Sequence, residues 1–298
     1  MRFDGRRYRP MGLLDLFDEA FDLYKSNFAL FLLITAIVYV PVVGIGAYVA
    51  APVLRPLMGT GIDGLTNLGN ALRTDMGWTA LTLGTSALST ALLLSALVAA
   101  ACARYKDEPV NLATAYRAAL PVTIQATLLL ALYAAATIGG TMTCVLPGIL
   151  VILLSIPLQL FLHVMLNEGV RDVYQPLKRS WKLASGNGSF ILGGHIVHWC
   201  LWGVLVAAVV GAVEIVANLA VDSAAPFMPL LVLHKEVAES IAFGLSCMLL
   251  LPFQVCVVTM FYFDLRIRRE GYDIELLARS LGYPPIDQTA TTDKAAQP

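Results

Sequence analysis

Three histidines and a few polar side chains set in apolar runs are the residues of this sequence best placed to do chemistry. His163 lies in one apolar run, and His195 and His198 lie early in the next. The last two, three residues apart, share a helix face. Imidazoles so placed suit zinc or copper, so the trio reads as two-thirds of a metal site. A third ligand is missing: there is no HExxH, and no Asp, Glu or Cys at local spacing completes the set. Histidines that hydrogen-bond between helices are the competing reading. Glu214, in the outer half of the same apolar run as His195, can join Gln159 and Gln254 in a polar patch or solute path. Otherwise it is an outer-interface residue, or a protonated, hydrogen-bonded one. Neither GxSxG nor a P-loop occurs. The expectation is therefore a non-enzymatic chain with no catalytic residue, no metal and no cofactor.

The elements that must carry these residues are membrane helices. Of 298 residues, 58% are hydrophobic and only 14% charged, and the mean hydropathy is +0.72. Soluble domains run nearer 45–50% apolar and about 25% charged. A span needs about 20 mostly apolar residues, and six windows qualify: about 28–54, 79–103, 121–141, 146–166, 190–219 and 240–264. The N-terminal segment is charged and the first apolar run is too long for a signal peptide. Five cysteines show no CxxC pairing, which argues against a disulfide framework. A net charge of −1 excludes a global basic footprint for nucleic acid.

Charge distribution supplies orientation. With six spans, only Arg55, Arg73 and Lys235 fall on one side of the bilayer; the remainder of the 20 Lys and Arg fall on the other. Basic loops stay in the cytoplasm, so both termini are expected there. In this reading Arg266, Arg268 and Arg269 anchor the exit of the sixth span to lipid headgroups.

Helical periodicity precedes three of the spans. Leu14, Phe17, Phe21, Tyr24 and Phe28 recur every three or four residues, as do Val170, Val173, Leu177, Trp181 and Ala184. These define amphipathic cytoplasmic helices over 11–27 and about 170–185. A weaker one over 111–120 opens at Asn111, a good N-cap. The fold class is an all-α polytopic bundle: six transmembrane helices arranged as three parallel repeats, each a surface helix followed by a hairpin. One membrane domain covers 1–282, and 283–298 reads as a disordered tail. The first surface helix is acidic (Asp15, Asp18, Glu19, Asp22) and the third basic (Arg171, Lys178, Arg179, Lys182), so the two are candidates to dock. Solvated faces are the alternative. Small residues every fourth position (Ala87, Ala91, Ser95, Ala99; Ala131, Ala135, Gly139; Gly203, Ala207, Gly211) suggest packing seams. Pro41, Pro157 and Pro252 should bend their spans.

"RPMGLLDLFDEAFDLYKSNF", "CVLPGILVILLSIPLQL", "YQPLKRSWKLASGNGSFIL" and "FYFDLRIRREGYDIELLAR" resemble the bacterial membrane-domain family named for its occurrence beside glycerophosphoryl diester phosphodiesterases. The run Tyr262-Phe263-Asp264-Leu265-Arg266, followed by Glu270-Gly271, is the most telling part. In the namesake enzymes hydrolysis belongs to a soluble domain opened by a histidine–arginine–glycine motif. That tripeptide is absent here, so the resemblance implies a membrane domain without phosphodiesterase activity. The function expected is an accessory, scaffold or lipid-interacting component of a bacterial inner membrane. A small-solute or lipid transporter is the alternative, and an intramembrane metalloenzyme comes third. Expected partners are membrane lipids, then another membrane protein or a second copy of the chain.

Overall fold

The computed structural model describes residues 10–49, 76–143, 159–170, 172–223 and 229–280. Over them the chain is helical: α1 (Leu13–Ser26), α2 (Phe28–Val49), α3 (Met76–Tyr105), α4 (Leu112–Ala119), α5 (Thr123–Thr143), α6 (Phe161–Glu168), α7 (Tyr174–Ala184), α8 (Gly188–Ser223), α9 (Pro229–Glu270) and α10 (Tyr272–Ser280). Among the described residues there is no strand. Among the described residues four segments are long and apolar enough to cross a membrane: Gly84–Tyr105, Leu112–Ala136, Gly188–Ala212 and Gly244–Glu270. A fifth counts if α1 and Phe28–Pro41, bent by 75° about Asn27, are taken together. Most of the window 146–166, residues 55–75 of the loop 55–78, Cys144, Pro157, Arg171 and the tail lie outside the described residues.

Local chemistry explains several boundaries. Asn111 caps α4: its Oδ1 accepts from Thr114 N at 2.9 Å, and Thr114 Oγ1 accepts from Asn111 N at 2.9 Å. The helix does not stop before the next apolar run. It passes through a 3₁₀ turn, Leu120–Val122, directly into α5, with Pro121 inside that turn. The separate surface helix expected over 111–120 is thus the opening of a longer rod. α9 likewise exceeds the window 240–264. Its 42 residues extend about 63 Å at 1.5 Å per residue, roughly twice a hydrocarbon core. Gly271 ends it with φ 61°, the left-handed conformation that glycine adopts without penalty.

The packing is organised around the C-terminal half of α9. Cys256 and the run Met260–Leu265 are fully buried, the pattern of a helix enclosed on every side. α1, α2, α3 and α8 all pack on α9. Tyr105 of α3 stacks on Phe263 at 4.3 Å between centroids. Phe17, Phe21 and Tyr24 of α1 surround Phe253 at 6.5, 6.3 and 5.9 Å. α8 meets α9 closely at Gly194, where a Cβ would clash with the edge of the Phe261 ring.

Among the described residues one of the expected small-residue seams is buried. Ala91 and Ser95 of α3 are buried. By contrast Ala131 and Ala135 on α5, and Gly203 and Ala207 on α8, are exposed, and open space surrounds Gly203 and Gly211. α8 meets α9 through the Gly194 face instead.

Candidate functional site

The charged end of the bundle is built from groups distant in sequence. Asp264, fully buried in α9, has helical partners behind it and the chain entering α1 in front. Its Oδ1 accepts from Met11 N at 2.8 Å and its Oδ2 accepts from Arg268 Nε at 2.6 Å. Arg268 Nη2 then donates to Met11 O at 2.6 Å. One residue's backbone is held at both polar atoms by an ion pair four residues apart on α9. Beside this clamp runs a chain of alternating charge. Arg179 of α7 pairs with Glu168 at 2.9 Å and with Glu270 at 2.5 Å. Glu270 also holds Arg266 at 3.2 Å, and Arg266 reaches Glu275 at 3.8 Å. Tyr262 Oη donates to Glu168 at 3.3 Å. Burial works against the Arg179 guanidinium, but the hydrogen bond and charge of Glu168, with those of Glu270, outweigh it and raise its pKa above the usual value.

This geometry redistributes the basic residues. Arg266, with only 12% of its side chain exposed, is paired with Glu270 and Glu275 and lies over the Tyr272 ring at 4.1 Å. Arg268 is paired with Asp264 and lies over Phe190 at 5.1 Å. Both are engaged within the protein, because acids one helical turn away are near partners. Arg269 is exposed, with its guanidinium beside Gly186. The expected docking of α1 on α7 has no ion pair behind it among the described residues, and Arg171 lies outside them. Among the described residues no ion pair joins Asp15, Asp18, Glu19 or Asp22 to Lys178, Arg179 or Lys182. Asp15 accepts from Gly12 N, Arg179 is taken by Glu168 and Glu270, and α1 packs on α9 instead.

The histidines lie deeper, each on its own helix–helix contact. Thr259 Oγ1 donates to Val255 O at 2.7 Å, so it accepts from His163 Nε2–H at 3.0 Å. His163 Nδ1 is then a buried lone pair with no partner. His195 Nδ1 donates to Ile191 O at 2.8 Å, and its Nε2 lies 2.7 Å from the Gln159 amide. A neutral imidazole with hydrogen on Nδ1 accepts at Nε2, which turns the Gln159 NH₂ toward His195 and its oxygen away. His198 is buried with its ring 6.1 Å from Phe253. Glu214 is exposed on α8, 19 positions beyond His195 and so about 28 Å further along the helix. It does not join the glutamines. Among the described residues no group of three His, Cys, Asp or Glu can hold a metal ion.

Between α3, α5, α6 and α9 lies a cavity of about 480 Å³. Leu129, Leu132, Val258 and other apolar side chains line it, with Gln159, Gln254 and His163 on its wall. Leu132 and Ala136, both lining residues, are exposed on α5, so the cavity opens sideways between helices. Its volume falls within the roughly 300–1,000 Å³ of small-molecule sites. Gln254 has no hydrogen-bond partner among the described residues, which leaves its amide for whatever enters.

No family model, no curated protein and no solved structure matches this chain. The arrangement must therefore speak for itself. Sequence reasoning passes over Asp264, Glu168 and Glu270, although Asp264–Arg268 and Arg266–Glu270 both show the four-residue acid–base spacing of a helical ion pair. The role of Met11 carries no local signal.

Proposed function

We propose that this chain is a non-enzymatic, multi-pass protein of a bacterial inner membrane that holds an acyl-chain lipid as an accessory or scaffold component. In this reading it has six spans in three parallel surface-helix-plus-hairpin units, and both termini are cytoplasmic. The single observation behind the lipid assignment is the sideways-opening cavity: apolar on nearly all its wall, with two glutamine amides among its few polar fittings, beside His163 and Tyr133. An acyl chain matches the apolar wall, and an ester or hydroxyl matches the amides. The asymmetry of Lys and Arg supports the orientation. The likeness to the phosphodiesterase-associated membrane family rests on the quoted motifs and agrees with an accessory role. A lipid or small-solute transporter is the second reading. Gln254 favours it, standing two residues beyond Pro252 on the wall of the same cavity.

The test is lipid retention. Protein purified in mild detergent is analysed by native mass spectrometry, with about one lipid per chain expected. Ala136→Phe narrows the cavity from its exposed side and should abolish retention. Ala131→Phe, on the same helix but away from the lining, should leave it intact. Equal retention by both variants, or none by the parent protein, removes the lipid-holding reading.

A further inference from the structure

The outer face of α7 combines exposed aromatic rings with exposed lysines. At 100° per residue, Trp181, Tyr174, Lys178, Lys182 and Gln175 occupy one arc of about 120°, and all five are exposed. Tyr174 is 68% and Trp181 49% accessible. On the opposite arc Pro176, Ser180, Leu183 and Ala184 are buried against the bundle. Arg179, between the arcs, is consumed by Glu168 and Glu270. Lys178 and Lys182 have no ion-pair partner among the described residues, and α7 contains no acid at all. Its depth is set by its neighbours: three residues, Ser185–Asn187, separate it from α8, whose opening segment is long and apolar enough to cross a membrane.

We infer that this face is a binding surface for the anionic headgroups of the adjoining leaflet. Aromatic rings and lysines together are the chemistry of a membrane interface: the rings sit at the level of the glycerol backbone while the ammonium groups meet phosphate. The charge chooses the occupant. A zwitterionic surface offers the lysines nothing that water does not, whereas an anionic one supplies the partners they lack. A second surface helix makes the contrast. α1 exposes Leu14 and Phe21 beside Asp15, Asp18 and Asp22, and its acids repel the same lipids. The lysine face of α7 thus attracts anionic lipid where the acidic face of α1 does not. The two arginines that the sequence nominates for this task, Arg266 and Arg268, are already engaged internally.

Trp181 is a built-in reporter. The full chain carrying Trp78→Phe, Trp199→Phe and Trp202→Phe is reconstituted in phosphatidylcholine vesicles containing either brominated phosphatidylglycerol or the same fraction of brominated phosphatidylcholine. Quenching by the anionic lipid should exceed that by the zwitterionic one at least about twofold. The excess should vanish in Lys178→Gln/Lys182→Gln, and shrink as salt screens the lysines of the otherwise unchanged protein. The salt titration needs no change in the face itself, so it stands even where the glutamine variant folds poorly. Equal quenching by the two lipids overturns charge selection. Absence of quenching by either shows that the face looks into the cytosol, toward a protein or nothing, and overturns the membrane assignment.

Discussion

Neutralising Asp264 tests whether the clamp at Met11 is held by charge or merely by shape. Asp264→Asn is isosteric: the amide oxygen can still accept from Met11 N, but its NH₂ is set against Arg268 Nε–H, now 2.6 Å from the carboxylate. Hydrogen bonds to charged groups contribute about 1.5–3 kcal/mol and neutral ones about 0.5–1.5. Arg268, with a third of its side chain exposed, can turn to water and recover part of the loss. The net cost is about 1–2 kcal/mol, a 5- to 30-fold rise in the open population. Arg268→Gln should be worse. It removes both guanidinium bonds and leaves the fully buried Asp264 carboxylate with Met11 N–H alone, and orphaning one member of a buried pair costs up to about 3–5 kcal/mol. The double variant should therefore be milder than the sum of the two, since it removes the charge along with its partner. Hydrogen–deuterium exchange of the full chain in nanodiscs, followed over the peptide 10–26, reads the opening of α1 directly. Unchanged exchange in Asp264→Asn refutes the clamp. Additive costs in the double variant refute the charge coupling.

Two further outcomes follow from the same geometry. Gly194→Ala places a methyl group against the edge of the Phe261 ring and should cost about 1–3 kcal/mol in a thermal or denaturant titration. Gly193→Ala meets nothing within 4 Å and should be neutral or slightly stabilising; equal effects would deny the close α8–α9 approach. For orientation, an alkaline phosphatase or green fluorescent protein reporter fused after residue 298 should mark the cytoplasm, and one inserted at residue 65 the opposite side. Both reporters in one compartment would reject the even-numbered weave.

The helices of this protein are legible in its sequence because burial in lipid or core demands long apolar runs, and such runs are visible without knowing any neighbour. That is why the windows at 79–103 and 190–219 correspond to α3 and α8, and why Asn111 announces its cap. Faces are a different matter. A period of three or four residues says which side chains share a side, not what that side meets. Ala91 and Gly203 lie in ladders of identical spacing, yet one is buried and the other open. Arginines next to a span are ambiguous in the same way. Arg266 and Arg268 look like headgroup ligands, yet Asp264, Glu270 and, for Arg268, a backbone 257 residues away hold them. Lys178 and Lys182, unremarkable by composition, become the available cations because Arg179 between them takes both nearby acids. Where acids and bases are few, each internal ion pair decides which charges are left for lipid, and that allocation is settled only by the fold.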